Sequence, residues 1–124
     1  MNLLITGSNG QLGWELCSQG KERGIFIVPL DLPEFDITDE VAVKRTISEH
    51  HPDLIINSSA YTAVDKAESE QDLTFSVNSD GPSNIAAVCA ENNIPLIHIS
   101  TDYVFDGCKA GPYLETDKIN PVCI

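Results

Sequence analysis

Near its start the chain reads Thr6-Gly7-Ser8-Asn9-Gly10-Gln11-Leu12-Gly13, directly after the short apolar run Leu3–Thr6. The glycines have the spacing G-x-x-G-x-x-G. Glycine at such positions permits a tight turn, lets a pyrophosphate approach the backbone, and lets a helix pack closely on a strand. The stretch therefore predicts a strand-to-helix turn in which phosphates bind the N–H groups of a helix that begins near Gln11. Three glycines can also serve the geometry of a turn without a ligand, and that alternative stays open.

Four short apolar runs predict β-strands, and because they are almost continuously hydrophobic they are typical of strands buried on both faces. These runs are Leu3–Thr6, Ile25–Leu30, Leu54–Asn57 and Leu96–Ser100. The stretches between them predict helices over Gln11–Arg23, over Asp39–His50 with Asp39 as N-cap, and from about Glu70 to Asn92 with an interruption at Gly81-Pro82. This βαβαβαβ order predicts an α/β fold, a Rossmann-type doubly wound parallel sheet with helices on both faces.

The composition favours one globular domain that acts on a small molecule. The 124 residues fit a single domain, and the formal net charge of −12 would repel nucleic acid and anionic lipid. No apolar segment reaches about 18 residues, and no basic segment precedes the first apolar run, so we expect neither a membrane span nor a signal peptide. Four cysteines without a C-x-x-C pair fit reduced thiols, which predicts a cytoplasmic location.

The sequence becomes irregular beyond Ser100, where Gly107, Gly111, Pro112 and Pro121 follow one another closely. Doubly wound dinucleotide-binding domains normally have about five or six strands, and only four are predicted here. We therefore expect residues 1–124 to be an NAD(P)-binding Rossmann domain that is incomplete in this chain.

Asp31 follows the second predicted strand, where an acid that binds the adenosine ribose belongs. A carboxylate there would repel a 2′-phosphate, and no Lys or Arg lies between Arg23 and Lys44, so the residues favour NAD(H) over NADP(H). A solvated loop acid is the alternative. Asp36 and Ile37 could lie along the edge of the adenine, and a role in helix capping or in a plain loop is an equal alternative.

Small and hydroxyl residues follow the third and fourth predicted strands, at Asn57-Ser58-Ser59-Ala60-Tyr61-Thr62-Ala63 and Ser100-Thr101-Asp102-Tyr103. Ligands bind at the carboxyl ends of strands in open α/β sheets, and small side chains there leave room for a ribose and a nicotinamide. Thr101 could donate a hydrogen bond to a carbonyl oxygen that gains charge during hydride transfer. A strand-end hydroxyl that satisfies a backbone group is the alternative.

The histidines and the helical cysteines are expected to be structural. His50, His51 and His98 show no metal-ligand spacing, so no metal site is predicted, and His98 lies within a strand predicted to be buried. Cys17 and Cys89 fall on predicted helices as small apolar residues.

Three motifs together resemble the dTDP-4-dehydrorhamnose reductases, which belong to the extended short-chain dehydrogenases/reductases. They are Gly7 to Leu16 (GSNGQLGWEL), Asn57 to Glu68 (NSSAYTAVDKAE) and Ser100 to Gly107 (STDYVFDG), and the second and third are much more specific than the first. The resemblance runs through essentially the whole chain. It implies an enzyme that reduces the C4 ketone of dTDP-4-dehydro-L-rhamnose with NADH or NADPH, the last step of dTDP-L-rhamnose synthesis, and it allows a homodimer.

The resemblance also implies roles for individual residues. Thr101 would be the Ser/Thr member of the family's catalytic Ser/Thr, Tyr and Lys set, and Thr101 and Asp102 would contact the sugar. The residues implied to surround the cofactor, from its phosphates and adenosine to its nicotinamide, are Gly7, Asn9, Gly10, Gln11, Leu12, Gly13, Asp31, Asp36, Ile37, Ala60, Tyr61, Thr62 and Ile99.

One departure from the family's pattern bears on activity. The family's Tyr is followed four residues later by Lys, whereas the residues at that distance from the three tyrosines here are Asp65, Gly107 and Asp117. No Tyr-x-x-x-Lys is present. We therefore expect this chain to be the cofactor-binding part of a longer enzyme, preceding that segment and the part that binds the sugar nucleotide, and to be inactive alone.

Rival functions share the glycine-rich stretch. Nucleotide-sugar dehydratases place an acid pair directly after the strand-four Thr, whereas Asp102 is followed by Tyr103, which disfavours dehydration. An epimerase of the same superfamily is a further alternative. A regulatory subunit of methionine adenosyltransferase resembles these reductases without being a catalyst, so a non-catalytic binding role is the alternative from another class.

Overall fold

The computed structural model describes all of residues 1–124. Its strands are β1 (Asn2–Thr6), β2 (Phe26–Leu30), β3 (Leu54–Asn57) and β4 (Leu96–His98). Its helices are α1 (Gln11–Glu22), α2 (Glu40–His50), α3 (Val64–Ala67), α4 (Gln71–Phe75) and α5 (Gly81–Asn92), with a π-helical turn at Ser76–Asp80 and a 3₁₀ turn at Asp102–Val104. None of these helices combines the length and the apolar character needed to cross a membrane.

The strands form one parallel sheet in the order β2-β1-β3-β4. The chain moves from β1 to β2 in one direction and then returns past β1 to β3, so the strand order reverses between β1 and β3. Crossovers that leave the sheet in opposite directions open a crevice at the carboxyl ends of the two strands. This topology confirms the predicted doubly wound α/β fold.

Helices cover both faces of the sheet because successive β1 side chains point to opposite sides. Leu3 and Ile5 pack with Cys17 of α1 on one face. Leu4 packs on the other face in a larger cluster that includes Val43 and Ile47 of α2 and Ile85, Val88 and Cys89 of α5. Helix α2 begins where predicted, since the Asp39 carboxylate accepts a hydrogen bond from the Ala42 amide at 3.0 Å.

Only the two central strands have the deep burial predicted for all four. β4 lies at the edge of the sheet and is mostly exposed, with Ile97 47% exposed, and Ile99 directly after it is 42% exposed. His98 is exposed as well, so its predicted place inside a buried strand is wrong. The apolar run correctly predicted a strand, but exposure depends on whether another element covers it, which local sequence does not encode.

The helical stretch from residue 71 to residue 92 is not interrupted at Gly81-Pro82. Asp80 and Gly81 both have right-handed helical backbone angles, and the chain continues into α5. A proline within a helix lacks the N–H for the usual bond and its ring crowds the carbonyl four residues earlier. The wider π-helical turn at Ser76–Asp80, which ends just before Gly81-Pro82, relieves this conflict without ending the helix.

Candidate functional site

A cavity of about 820 Å³ lies at the carboxyl ends of β1, β2 and β3, within the size range of small-molecule sites. It opens at the crevice created by the reversal of strand order. The residues that line it are Gly7, Asn9, Gly10, Gln11, Leu12, Gly13, Asp31, Leu32, Phe35, Asp36, Ile37, Ser58, Ser59, Ala60, Thr62 and Val77. The fold thus brings together around one cavity almost all the residues singled out as cofactor-binding, from three separate strand ends.

The three glycines of the first turn meet different constraints. Gly7 has a positive φ of 69°, and a Cβ there would lie 2.6 Å from the Ser59 amide nitrogen. A Cβ at Gly13 would lie 2.1 Å from the Gly7 carbonyl oxygen. At Gly10 a Cβ would meet only that same oxygen, at 3.3 Å. Gly7 and Gly13 are therefore required by the backbone itself, whereas Gly10 leaves space in the cavity.

The start of α1 presents unpaired backbone donors to the cavity. Gly10 is the N-cap and has no side chain to cap the helix, and no acidic residue lies in the first turn. The amide groups of Gln11, Leu12 and Gly13 donate to no acceptor within the protein, while the Trp14 amide makes the first regular bond, to the Gly10 carbonyl at 2.9 Å. Unpaired N–H groups and the positive end of the helix dipole favour an anion at this place.

We expect Gly10→Val to weaken dinucleotide binding about tenfold or more while leaving the fold largely intact. Gly10 has extended backbone angles that valine adopts easily, so the new side chain would crowd the ligand rather than the fold. Titration calorimetry with NADH measures the effect, and Gly111→Val is the control because nothing lies within 4 Å of a Cβ there. An unchanged affinity would leave the glycines with a role in turn geometry alone.

Asp31 combines two structural contacts with its place in the cavity wall. One carboxylate oxygen accepts from the Asn9 amide at 2.7 Å, and the other accepts from the Leu32 amide at 2.8 Å. Each oxygen has a second lone pair, so two further donors can bind. Asp31 thus braces the glycine-rich turn, a role that the sequence did not reveal, and can still accept ribose hydroxyls.

A second cleft of about 750 Å³ adjoins the cavity and shares Asn9 and Asp31 with it. Lys21 of α1 lines this cleft, so the fold brings one lysine to the cleft that Asp31 also lines. Lys21 precedes the stretch between Arg23 and Lys44, which contains no Lys or Arg. Glu22 and Glu34 line the same cleft. Together with Asp31 they outnumber the single cation, and the charge beside Asp31 therefore still disfavours a 2′-phosphate there.

A buried polar network, not predicted from the sequence, connects the carboxyl ends of β1, β3 and β4. The Asn57 side chain is fully buried, and its oxygen accepts from the Thr6 hydroxyl at 2.7 Å and from the Ser59 amide at 3.0 Å. Its amide nitrogen lies 3.1 Å from Nδ1 of His98. Because both donors fix the Asn57 oxygen, Nδ1 of His98 is the acceptor in this pair. The network satisfies the polar groups under the cavity floor and holds Ser59 in the cavity wall.

The π-helical turn carries Asn78, whose contact with the site the sequence did not indicate. The Asn78 side chain accepts from the Tyr61 amide at 2.8 Å and donates to the Tyr61 carbonyl at 3.0 Å. This pair of bonds holds the main chain between Ala60 and Thr62, which line the cavity. The only local signal is an asparagine in a helical stretch, and that pattern by itself predicts nothing about a contact 17 residues away.

Four residues singled out for the site do not line the cavity, namely Tyr61, Ile99, Thr101 and Asp102. The Tyr61 hydroxyl donates to the Glu70 carboxylate, and this hydrogen bond raises the pKa of Tyr61. Ile99 and Thr101 do not line the cavity and follow the exposed edge strand. The Thr101 hydroxyl oxygen accepts from the Tyr103 amide at 3.1 Å, and its hydrogen has no acceptor within the protein, so it remains available for donation.

Asp102 begins the 3₁₀ turn beside Thr101 and is exposed. Cys17 and Cys89 are buried on α1 and α5, as predicted, and burial raises the pKa of both thiols. No group of three or more His, Cys, Asp or Glu side chains has a metal-binding arrangement.

The sequence matches a family model described as the RmlD substrate binding domain over residues 1–124. A dTDP-4-dehydrorhamnose reductase from Aggregatibacter actinomycetemcomitans is 45% identical over 123 residues, which cover 98% of this chain and 42% of that protein. This chain therefore spans less than half the length of the curated relatives it matches.

Solved structures give the same result. A dTDP-4-dehydrorhamnose reductase from Clostridium acetobutylicum superposes with a TM-score of 0.95 at 43% identity, covering 99% of this chain and 44% of that one. The reductase from Bacillus anthracis, solved in complex with NADP, superposes with a TM-score of 0.93 at 38% identity, covering 98% of this chain and 44% of that one. Since the family model matches every residue described here, the chain belongs to the RmlD substrate binding domain family.

Proposed function

We propose that residues 1–124 form the NAD(P)H-binding part of a dTDP-4-dehydrorhamnose reductase, a longer enzyme that reduces the C4 ketone of dTDP-4-dehydro-L-rhamnose. The observation that carries this proposal is a single cavity lined both by the start of α1, with its unpaired amides, and by Asp31. Backbone amides suit the diphosphate of an adenosine diphosphate, and a carboxylate that accepts hydrogen bonds from hydroxyls suits its ribose. The relatives named above support the choice of reaction.

The cofactor supplies the hydride when it is bound. In the proposed enzyme this chain's residues bind the dinucleotide and orient it, and Thr101 donates its free hydroxyl hydrogen to the C4 carbonyl oxygen as that oxygen gains charge. Asp102 accepts hydrogen bonds from the sugar. The resemblance implies a Tyr with a Lys four residues later as the proton donor, and residues 1–124 contain no such pair, so we expect these residues alone to bind the dinucleotide without turnover.

The direct test is an assay of the full-length protein with dTDP-4-dehydro-L-rhamnose, following the loss of reduced nicotinamide and the appearance of dTDP-L-rhamnose. Turnover with that substrate supports the proposal. Dinucleotide binding without turnover would favour the non-catalytic binding role, and epimerisation of a UDP-sugar with no net loss of reduced nicotinamide would favour an epimerase. We further propose a cytoplasmic enzyme, because all four cysteines are free as in a reducing compartment, with a dTDP-sugar substrate as the named relatives indicate.

We expect Asp31→Asn to shift cofactor preference toward NADPH several-fold, or about 1 kcal/mol. The substitution removes the charge that faces a 2′-phosphate and keeps the size of the side chain. The measured quantity is the ratio of the NADPH and NADH dissociation constants in the full-length protein. This ratio cancels any loosening of the glycine-rich turn, since that loss weakens both cofactors equally. Asp36→Asn is the control within the same cavity, and an unchanged ratio for Asp31→Asn would leave Asp31 as a brace only.

A further inference from the structure

The segment that follows the 3₁₀ turn has little regular secondary structure, yet its hydrogen bonds converge on one carboxylate. Asp106 accepts from the Cys108 amide at 2.9 Å, from the Tyr113 hydroxyl at 3.1 Å and from the Asn120 side-chain nitrogen at 3.0 Å. The Cys108 amide, followed by Asn120 and Tyr113, holds the pKa of Asp106 below its usual range. The carboxylate therefore remains charged at neutral pH and holds three points of the segment together.

Aromatic and ionic contacts close the same segment. The ring of Phe105 stacks on the ring of Tyr113, with centroids 4.1 Å apart. Lys109 forms an ion pair with Asp117 and lies 5.7 Å from the centre of the Tyr113 ring. Asp117 also accepts from the Leu114 amide at 2.7 Å. We name residues 105–120 the Asp106 clasp.

The clasp is connected to the turn that carries Thr101 and Asp102. The Asn120 amide donates to the Val104 carbonyl at 2.9 Å, so Asn120 contacts both Asp106 and the last residue of the 3₁₀ turn. The other end of that turn is held where the Tyr103 amide donates to the Thr101 hydroxyl oxygen. A hydrogen-bonded path thus runs from Asp106 through Asn120 and the 3₁₀ turn to Thr101.

We propose that Asp106 is a positioning residue, which through Asn120 fixes the 3₁₀ turn and so aims Thr101 and Asp102 at the sugar nucleotide. This inference rests on the proposed function, and it assigns to the clasp a role in substrate binding that is separate from the dinucleotide cavity. No clasp residue lines that cavity. A loosened clasp therefore weakens sugar-nucleotide binding and leaves dinucleotide binding intact.

The exchange of charge between two partners tests the proposal. In Asn120→Asp, a second carboxylate faces Asp106 across the 3.0 Å contact, and like-charge repulsion opens the clasp. Adding Asp106→Asn to that variant restores a hydrogen bond with donor and acceptor exchanged, while the side-chain oxygen of the new asparagine still accepts from Cys108 and Tyr113. Thr116→Asp adds the same charge to an exposed side chain of the clasp that makes no hydrogen bond, and it controls for charge alone.

In the full-length enzyme we expect Asn120→Asp to raise the KM for the dTDP-sugar about tenfold, with the NADH dissociation constant unchanged. The double variant should return KM to within about threefold of the wild type, and Thr116→Asp should match the wild type. An unchanged KM in Asn120→Asp, a double variant no better than the single one, or an equal loss of NADH affinity would overturn the proposal.

Hydrogen exchange separates this test from the test of the proposed function. The amides of Cys108, Leu114 and Asn120 are hydrogen-bonded within the clasp, and their exchange should accelerate in Asn120→Asp and slow again in the double variant. If the wild-type protein does not turn over the dTDP-sugar, the proposed function fails. If exchange responds as expected in an active enzyme while KM does not move, the positioning role alone fails.

Discussion

Replacing Gly13 with alanine is expected to lower the stability of the protein by about 3 kcal/mol or more, and its melting temperature by roughly 10 °C. The new Cβ would lie 2.1 Å from the Gly7 carbonyl oxygen and 2.8 Å from both the Gly7 carbonyl carbon and the Ser8 Cα. All three atoms belong to the backbone of the turn, so no side chain can rotate away. Relief requires α1 to move away from the end of β1, which opens the core beneath it.

Thermal unfolding followed by circular dichroism measures this effect, with Gly111→Ala as the control. Gly111 has no positive φ and no neighbour within 4 Å of a Cβ, so its replacement should leave the melting temperature almost unchanged. Gly13→Ala should also weaken NADH binding, because the displaced helix carries the amides that face the cavity. A melting temperature close to the wild type would show that the turn relaxes at low cost, contrary to the close packing inferred here.

Thr101→Val is expected to reduce turnover of the full-length enzyme about 10²–10³-fold while leaving NADH affinity unchanged. Valine has the shape of threonine but cannot donate a hydrogen bond to the carbonyl oxygen of the substrate. Thr101 does not line the dinucleotide cavity, so cofactor binding should not respond. Steady-state kinetics with saturating NADH, together with calorimetry, separates the two effects.

The conservative variant Thr101→Ser distinguishes hydrogen-bond donation from shape. Serine retains both the donor and the acceptor that pairs with the Tyr103 amide, so it should recover most of the turnover that valine loses. If Thr101→Val keeps turnover within several-fold of the wild type, then Thr101 only satisfies the backbone of the 3₁₀ turn. If serine is as poor as valine, the methyl group matters rather than the hydroxyl.

Local patterns in the sequence correctly predicted the order of the four strands and the longer helices and their approximate boundaries, but not the short helix α3. The run Leu54–Asn57 is a strand over those same residues, and the helix predicted to start near Gln11 begins at Gln11. Such features depend on steric preferences and hydrophobic periodicity over a few consecutive residues. The placement of the glycine-rich turn at a strand end follows for the same reason.

Only the tertiary structure decided which residues that are far apart in the chain contact one another. The sequence could not distinguish Gly7 from Gly10, because a Cβ at Gly7 would collide with the backbone of Ser58 and Ser59, which follow β3. The Thr6 hydroxyl meets Asn57 across 51 residues, and Asn57 meets His98 across 41. Strand order and the neighbours of each strand determine these contacts.

The sequence by itself determined that a glycine-rich turn, an acid and a hydroxyl cluster follow successive strands, since each signal lies within about ten residues. The tertiary structure decided that Asp31 also braces that turn, that Asn78 holds Tyr61, and that Asp106 closes the segment after β4. These roles are hydrogen bonds whose geometry exists only after packing has brought the partners within about 3 Å, and no local propensity encodes that distance.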